Sequence, residues 1–251
     1  MSNAFFEIPI PINEPVKEFR DGSIEKKELL NTIQEMKKNQ VDIPMIINGK
    51  EVKTSKKIEI RAPHNHKLKL GTFNEGDESH VKMAIDAALK AKKEWGSMSW
   101  QSRASIFLKA AELIAGPYRS KINGSTMLGQ SKNVFQAEID AACEFIDFLN
   151  FNASYMEEIY KNQPESSDGM WNRLDYRPLE GFVFAISPFN FTSIAGNLCA
   201  SPALMGNTVV WKPAYPQIYS ANIIMEVFKE AGLPDGVITV SYTHLTLPTK
   251  A

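Results

Sequence analysis

The stretch Glu180–Pro213, EGFVFAISPFNFTSIAGNLCASPALMGNTVVWKP, decides the fold. It opens on an apolar run, residues 182–186, rich in β-branched and aromatic residues, which predicts a strand buried on both faces. Ser187-Pro188 ends it, because proline lacks the N–H that a ladder needs and holds its neighbour extended. Polar Asn190 follows. Residues 192–205 are small and mostly apolar, which suits a helix packed closely on a sheet, and Gly206-Asn207 is a helix-stop signal. Residues 208–211 form a second apolar run that ends in Lys212-Pro213. The pattern is βαβ, with its polar groups at the carboxyl ends of the strands, the edge at which open parallel sheets bind ligands.

Outward from this unit, residues 1–22 hold several prolines and no periodicity and read as an extended arm. Ser23 predicts a helix cap, with Leu29, Leu30, Ile33 and Met36 on one face up to about Asn39. Asn48-Gly49 lies between residues 44–47 and 51–53 and signals a hairpin, since both residues tolerate positive φ. Residues 57–62 and 67–73 read as two further strands. Asp77 opens a helix carrying Val81, Ala84, Ile85, Ala88 and Leu89 on one stripe. Further helices are predicted over 102–115, 118–129 and, as one long element, 133–160. Polar turn-formers fill 164–169, and 171–178 reads as a strand with one exposed face. An amphipathic helix over 217–231 stops at Gly232-Leu233-Pro234, and a last strand starts at Val237.

On ISPFNF, then GN, then PALMGNTVVWKP, the chain resembles the aldehyde dehydrogenase superfamily. Glu138-Ile139-Asp140-Ala141-Ala142 and Leu179-Glu180-Gly181-Phe182 narrow the resemblance to the glutamate-semialdehyde (1-pyrroline-5-carboxylate) dehydrogenase branch, from about Glu14 to about Ile238. The fold it implies is α/β and aldehyde dehydrogenase-like. It has a partial parallel dinucleotide-binding sheet with flanking helices, an N-terminal β-hairpin and one oligomerisation-flap strand. The organisation expected is an arm and helix (1–40), the first part of the NAD-binding domain (41–163), the flap strand (164–179), the first βαβαβ part of the NAD-binding sheet (180–239), and a non-native tail (240–251) whose VSYTHLTLPTK departs from the family pattern, so that His244 is given no role. The chain is expected to be an N-terminal fragment, a homo-oligomer of two or more copies when full length.

Composition bounds the function. The chain has 251 residues, 43% of them hydrophobic, enough for a sizeable core. Lys plus Arg number 28 against 29 acidic residues, a net charge of −1, which argues against nucleic acid and anionic membrane as general partners. No long uncharged apolar run suited to spanning a bilayer is present, and no secretory signal is expected from the N-terminal residues. Two cysteines, Cys143 and Cys199, make no disulfide framework, so a reducing cytoplasm is expected. His64 and His66 lack a third ligand nearby, so no metal site is expected.

The candidate site residues gather at the strand ends. Asn190 offers two amide donors just past a strand. On spacing alone it reads as a turn-capping residue; in enzymes the chain resembles, the matching asparagine of the SPFNF motif stabilises the negative oxygen formed when a cysteine attacks an aldehyde. Lys212 is implied to reach the ribose of NAD. Ser187 and the backbone of Ile186, Pro188 and Phe189 line the same groove. Glu144 and Phe191 are expected at the substrate: Glu144 either faces water or lines the tunnel, and Phe191 walls the aliphatic part of a small semialdehyde or packs in the core. Cys143 and Cys199 sit in apolar helices and read as packing thiols. The nucleophilic cysteine and general-base glutamate of the family are expected beyond the residues present. No G-x-G-x-x-G follows a strand, which argues against an ordinary Rossmann phosphate loop. The activity implied is NAD-dependent oxidation of L-glutamate 5-semialdehyde to L-glutamate in proline degradation. The alternatives are another aldehyde dehydrogenase branch, or a non-catalytic fragment that binds nucleotide or a partner.

Overall fold

The computed structural model describes residues 5–243. Helix α1 (Ile24–Lys38) starts where Ser23 accepts a hydrogen bond from the Lys26 N–H, and it buries Leu29 and Ile33. Strands β2 (Met45–Ile47) and β3 (Lys50–Val52) close a hairpin around Asn48 and Gly49, whose φ angles are 51° and 70°. Just before them, β1 (Val41–Ile43) was not legible in the sequence: it is three residues long and has no turn signal of its own. It pairs in parallel with β5 (Asn65–Asn74), and β5 pairs antiparallel with β4 (Lys57–Ala62) in a three-stranded sheet.

Helices α2 (Glu78–Ser97), α3 (Trp100–Ala115) and α4 (Arg119–Gln130) follow, α2 being capped by Asp77 in a reciprocal arrangement with His80. The long helix predicted over 133–160 is interrupted. Helix α5 (Val134–Ala137) passes into a π-helical turn, Glu138–Cys143, before α6 (Glu144–Lys161). The wide turn falls where fully buried Glu138 meets the buried Arg119, and the apolar stripe running through it hides the break from periodicity. The arm is extended, as its prolines suggest, and lies along these helices: backbone N–H groups of Ile8, Glu14 and Lys17 donate to Glu157, Asp147 and Glu138.

The second half builds β6 (Val183–Ser187), α7 (Thr192–Leu204), β7 (Val209–Pro213), α8 (Ile218–Ala231) and β8 (Ile238–Val240). Strands β6, β7 and β8 are parallel, and the N-terminal hairpin extends them, β2 lying antiparallel to β8, to give the order β3-β2-β8-β7-β6. Strand β6 is not buried on both faces: it is the sheet edge, with Phe184 and Ile186 exposed to 42% and 57%. Helix α2 reaches the sheet at β8, where the Thr239 hydroxyl donates to the Ala84 carbonyl, and leaves that side of β6 open. Residues 171–178 form no strand: no neighbouring strand pairs with them among the described residues. Their groups are met locally instead, the Leu174 N–H by the Gln163 side chain and the Tyr176 hydroxyl by the Asn162 carbonyl. Of the residues set apart as a tail, Val240 completes β8 and buried Tyr242 packs edge-on against Phe73 at 5.6 Å, while His244 and those after it lie outside the described residues. No helix among the described residues is long and apolar enough to cross a membrane.

Candidate functional site

The parallel register of β6 and β7 pairs Ile186 with Lys212 and Ser187 with Pro213. Side chains alternate along a strand, so the carboxyl edge has two unlike faces. Ile186 and Lys212 stand on the open face. Ser187 and Trp211 turn inward, both buried. The Trp211 indole N–H donates to the Ser187 hydroxyl at 3.0 Å, and that hydroxyl donates to Gln217 Oε1 at 2.9 Å. The Ser187 side chain, expected in the cofactor groove, is therefore turned into the scaffold, and only its backbone remains on the edge with Pro188 and Phe189. Phe189 is exposed. Lys212 is half-buried, its Nζ 5.7 Å from the Tyr215 ring centroid. Tyr215 packs on Phe73 at 4.8 Å and donates its hydroxyl to Glu75; burial, and then that carboxylate, push its pKa above the usual phenol range.

Asn190 sits on the bend after Pro188, exposed, and no hydrogen bond of its side chain is formed among the described residues. Phe191 is half-buried. Lys132 Nζ lies 4.0 Å from its ring centroid and also pairs with Asp140 at 2.6 Å. Thr192 opens α7 and is fully buried, its hydroxyl meeting those of Thr126 at 2.8 Å and Ser220 at 3.2 Å and accepting from Gln130 Nε2 at 2.8 Å. Glu144, at the start of α6, accepts a hydrogen bond from the Ser193 hydroxyl in the first turn of α7. The fold thus brings Glu144, from α6, against the first turn of the helix that directly follows Asn190 and Phe191. Lys132, Gln217 and Gln130 were not legible as part of it. A lone lysine or glutamine between helices carries no sequence signal, and only the packing of α4 and α8 against α7 brings them in.

The two thiols cannot serve as the nucleophile. Burial, reinforced by the Glu138 charge, pushes Cys143 up to about 12, and burial alone raises Cys199 well above the usual thiol range. Both stay protonated at neutral pH, whereas nucleophilic attack needs the thiolate. His64 Nδ1 lies 2.9 Å from the Ser131 hydroxyl, and no group of three metal-ligating side chains forms among the described residues.

The chain belongs to the aldehyde dehydrogenase family, which it matches over residues 51–245. It is 51% identical over 237 residues to the delta-1-pyrroline-5-carboxylate dehydrogenase of Agaricus bisporus, covering 94% of this chain and 43% of that one. It is 46% identical to the mitochondrial enzyme of that name from Homo sapiens, covering 90% of this chain and 40% of the relative. The crystal structure of the Mycobacterium tuberculosis delta-pyrroline-5-carboxylate dehydrogenase bound with NAD superposes with a TM-score of 0.95 at 46% identity, over 97% of this chain and 45% of that one. The chain thus spans less than half the length of these relatives.

Proposed function

We propose that these residues supply the oxyanion donor and part of the cofactor ledge of an NAD-dependent dehydrogenase that oxidises L-glutamate 5-semialdehyde, the open form of 1-pyrroline-5-carboxylate, to L-glutamate in proline degradation. The observation that carries this is the uncommitted Asn190 amide on the bend past β6: its neighbours are tied down, yet its own donors are spent on nothing among the described residues. The names of the relatives point to the substrate. NAD suits the edge because Ile186 and Phe189 form an exposed apolar ledge beside a cation, Lys212, on the same face. When bound, it supplies the acceptor for the aldehyde hydride.

The roles of the chain's own residues follow. Lys212 would donate to ribose hydroxyls, and the backbone of Ile186 to Phe189 would line the same cradle. The Asn190 amide would donate to the carbonyl oxygen as it becomes negative, a contact made more strongly in the transition state than in the substrate. Phe191 would wall the aliphatic chain, and Glu144 would border the path to it. The full protein would work as a homo-oligomer. Two buried free thiols suit a reducing compartment, for which we take the cytoplasm, although the human and Dictyostelium discoideum relatives are named mitochondrial.

The test is Asn190→Ala in the complete protein that contains these residues. Turnover should fall by about 10²-fold or more with NAD affinity kept. Wild-type turnover would refute the assignment.

A further inference from the structure

We infer that Gln217 is the positioning residue of the bend that presents Asn190, holding both ends of that bend with one amide group. The inference rests on the reading of Asn190 as the oxyanion donor. Asn190 has no side-chain bond to orient it among the described residues, so its aim is set by the backbone from Ser187 to Phe191. Gln217 is fully buried in the short 3-10 turn Tyr215–Gln217 that leads into α8, where its own N–H donates to the Ala214 carbonyl at 2.9 Å. Its Oε1 receives the Ser187 hydroxyl at 2.9 Å, at the entry to the bend, and its Nε2 donates to the Phe191 carbonyl at 2.7 Å, at the exit.

The direction of the chain is forced. The Trp211 indole can only donate, so at 3.0 Å the Ser187 oxygen accepts from it and the Ser187 proton goes onward. That proton finds its acceptor when the carbonyl end of Gln217 faces Ser187. The Phe191 carbonyl can only accept, which places the NH₂ end there. A flipped amide would set its oxygen against the Phe191 carbonyl. The Phe191 carbonyl also receives the Ala195 N–H at 3.2 Å, so the same atom starts α7. Thr192, the next residue, is tied to Ser220 in the first turn of α8, and the Ser220 hydroxyl donates to the Gln217 carbonyl at 3.1 Å. A preorganised donor needs such support, since a displacement on the order of 1 Å costs about 10²-fold in rate.

Two variants test this. Gln217→Met keeps volume and loses both bonds. Gln217→Glu keeps the acceptor for Ser187 and sets a second acceptor against the Phe191 carbonyl. In the 251-residue chain itself, hydrogen exchange followed by mass spectrometry should be at least about threefold faster over the first turn of α7 in both variants, with the exchange of α3 unchanged. Unchanged exchange at the start of α7 in a folded variant would overturn the clamp. In the complete protein, either variant should lower kcat by about 10-fold to 100-fold and leave the KM for NAD in place. The double variant with Asn190→Ala should be no slower than Asn190→Ala alone, because the clamp acts only through that amide. Additive losses would overturn the inference. If Asn190→Ala costs nothing, the oxyanion reading fails, and exchange still decides whether the clamp exists.

Discussion

Glu138→Gln should be among the most damaging single-atom changes in this chain. Glu138 is fully buried and its two oxygens are saturated: Arg119 Nε approaches them at 3.1 and 3.3 Å, Asn123 Nδ2 donates at 2.7 Å and the Lys17 N–H at 2.8 Å, besides the ion pair with Arg119 Nη2. Arg119, also buried, spends its other donors on Glu14 and on the Pro15 carbonyl at 2.9 Å. The substitution removes the charge and turns one acceptor into a donor facing donors. Breaking one partner of a buried pair costs about 3–5 kcal/mol, because the remaining charge stays buried. With a urea slope of about 3 kcal/mol per molar, the unfolding midpoint should drop by about 1–2 M. The arm loses its Lys17 anchor as well, so trypsin should cut at Lys17 and Arg20 sooner. Burial pushes Glu138 up, but Arg119, the Lys17 N–H and Asn123 outweigh it and hold it below the usual carboxylate range. A depressed carboxylate stabilises above its unfolded value, so this contribution is complete at neutral pH and fades as pH falls below about 4. The wild-type chain should lose this margin in acid and the variant should not. A midpoint shift under about 0.3 M, with the arm equally protected, would refute the reasoning.

Lys212→Ala in the complete protein should raise the KM for NAD and leave kcat nearly unchanged; if only the aldehyde KM moved, the lysine would belong to the substrate side. Gly196→Ala should cost about 1–3 kcal/mol by overpacking, because a Cβ there would lie 2.2 Å from the Phe145 ring, and an unchanged melting temperature would contradict that packing. Cys143 and Cys199 should react with a disulfide reagent slowly in the folded chain and fully after unfolding, given their burial and raised values. Prompt reaction of either at neutral pH would contradict their placement.

What the sequence disclosed was local chemistry. The Ser23 and Asp77 caps and the Asn48-Gly49 turn each declare themselves because one side chain or one positive φ decides the matter. The βαβ unit was legible because its strands and helix differ in residue type over a short span. What stayed hidden depends on partners far along the chain. Nothing in residues 41–43 announces pairing with residues 71–73. A buried Arg119–Glu138 pair looks, residue by residue, like two solvated charges, and the π turn beside it leaves the apolar stripe intact. The apolar run at 182–186 is a strand, but which of its faces is covered depends on where α2 comes to rest. Gln217 was invisible for the same reason: its role consists of two bonds to residues 30 and 26 positions away.

The division of labour at the sheet edge follows from the pleat. Because β6 and β7 align Ile186 with Lys212 and Ser187 with Pro213, alternate positions separate an open face from a buried face that holds the structure. A one-residue slip would exchange the faces. Taken up in β7, it would turn the Lys212 ammonium inward and the Trp211 indole outward, breaking the chain that runs from Trp211 through Ser187 and Gln217 to Phe191. The register is therefore worth more than its ladder bonds. The inner residues Trp211, Ser187 and Gln217 satisfy one another only in this alignment. Changes to the inner row should alter the aim of Asn190 without touching any ligand, and changes to the outer row should alter ligand affinity without loosening the bend.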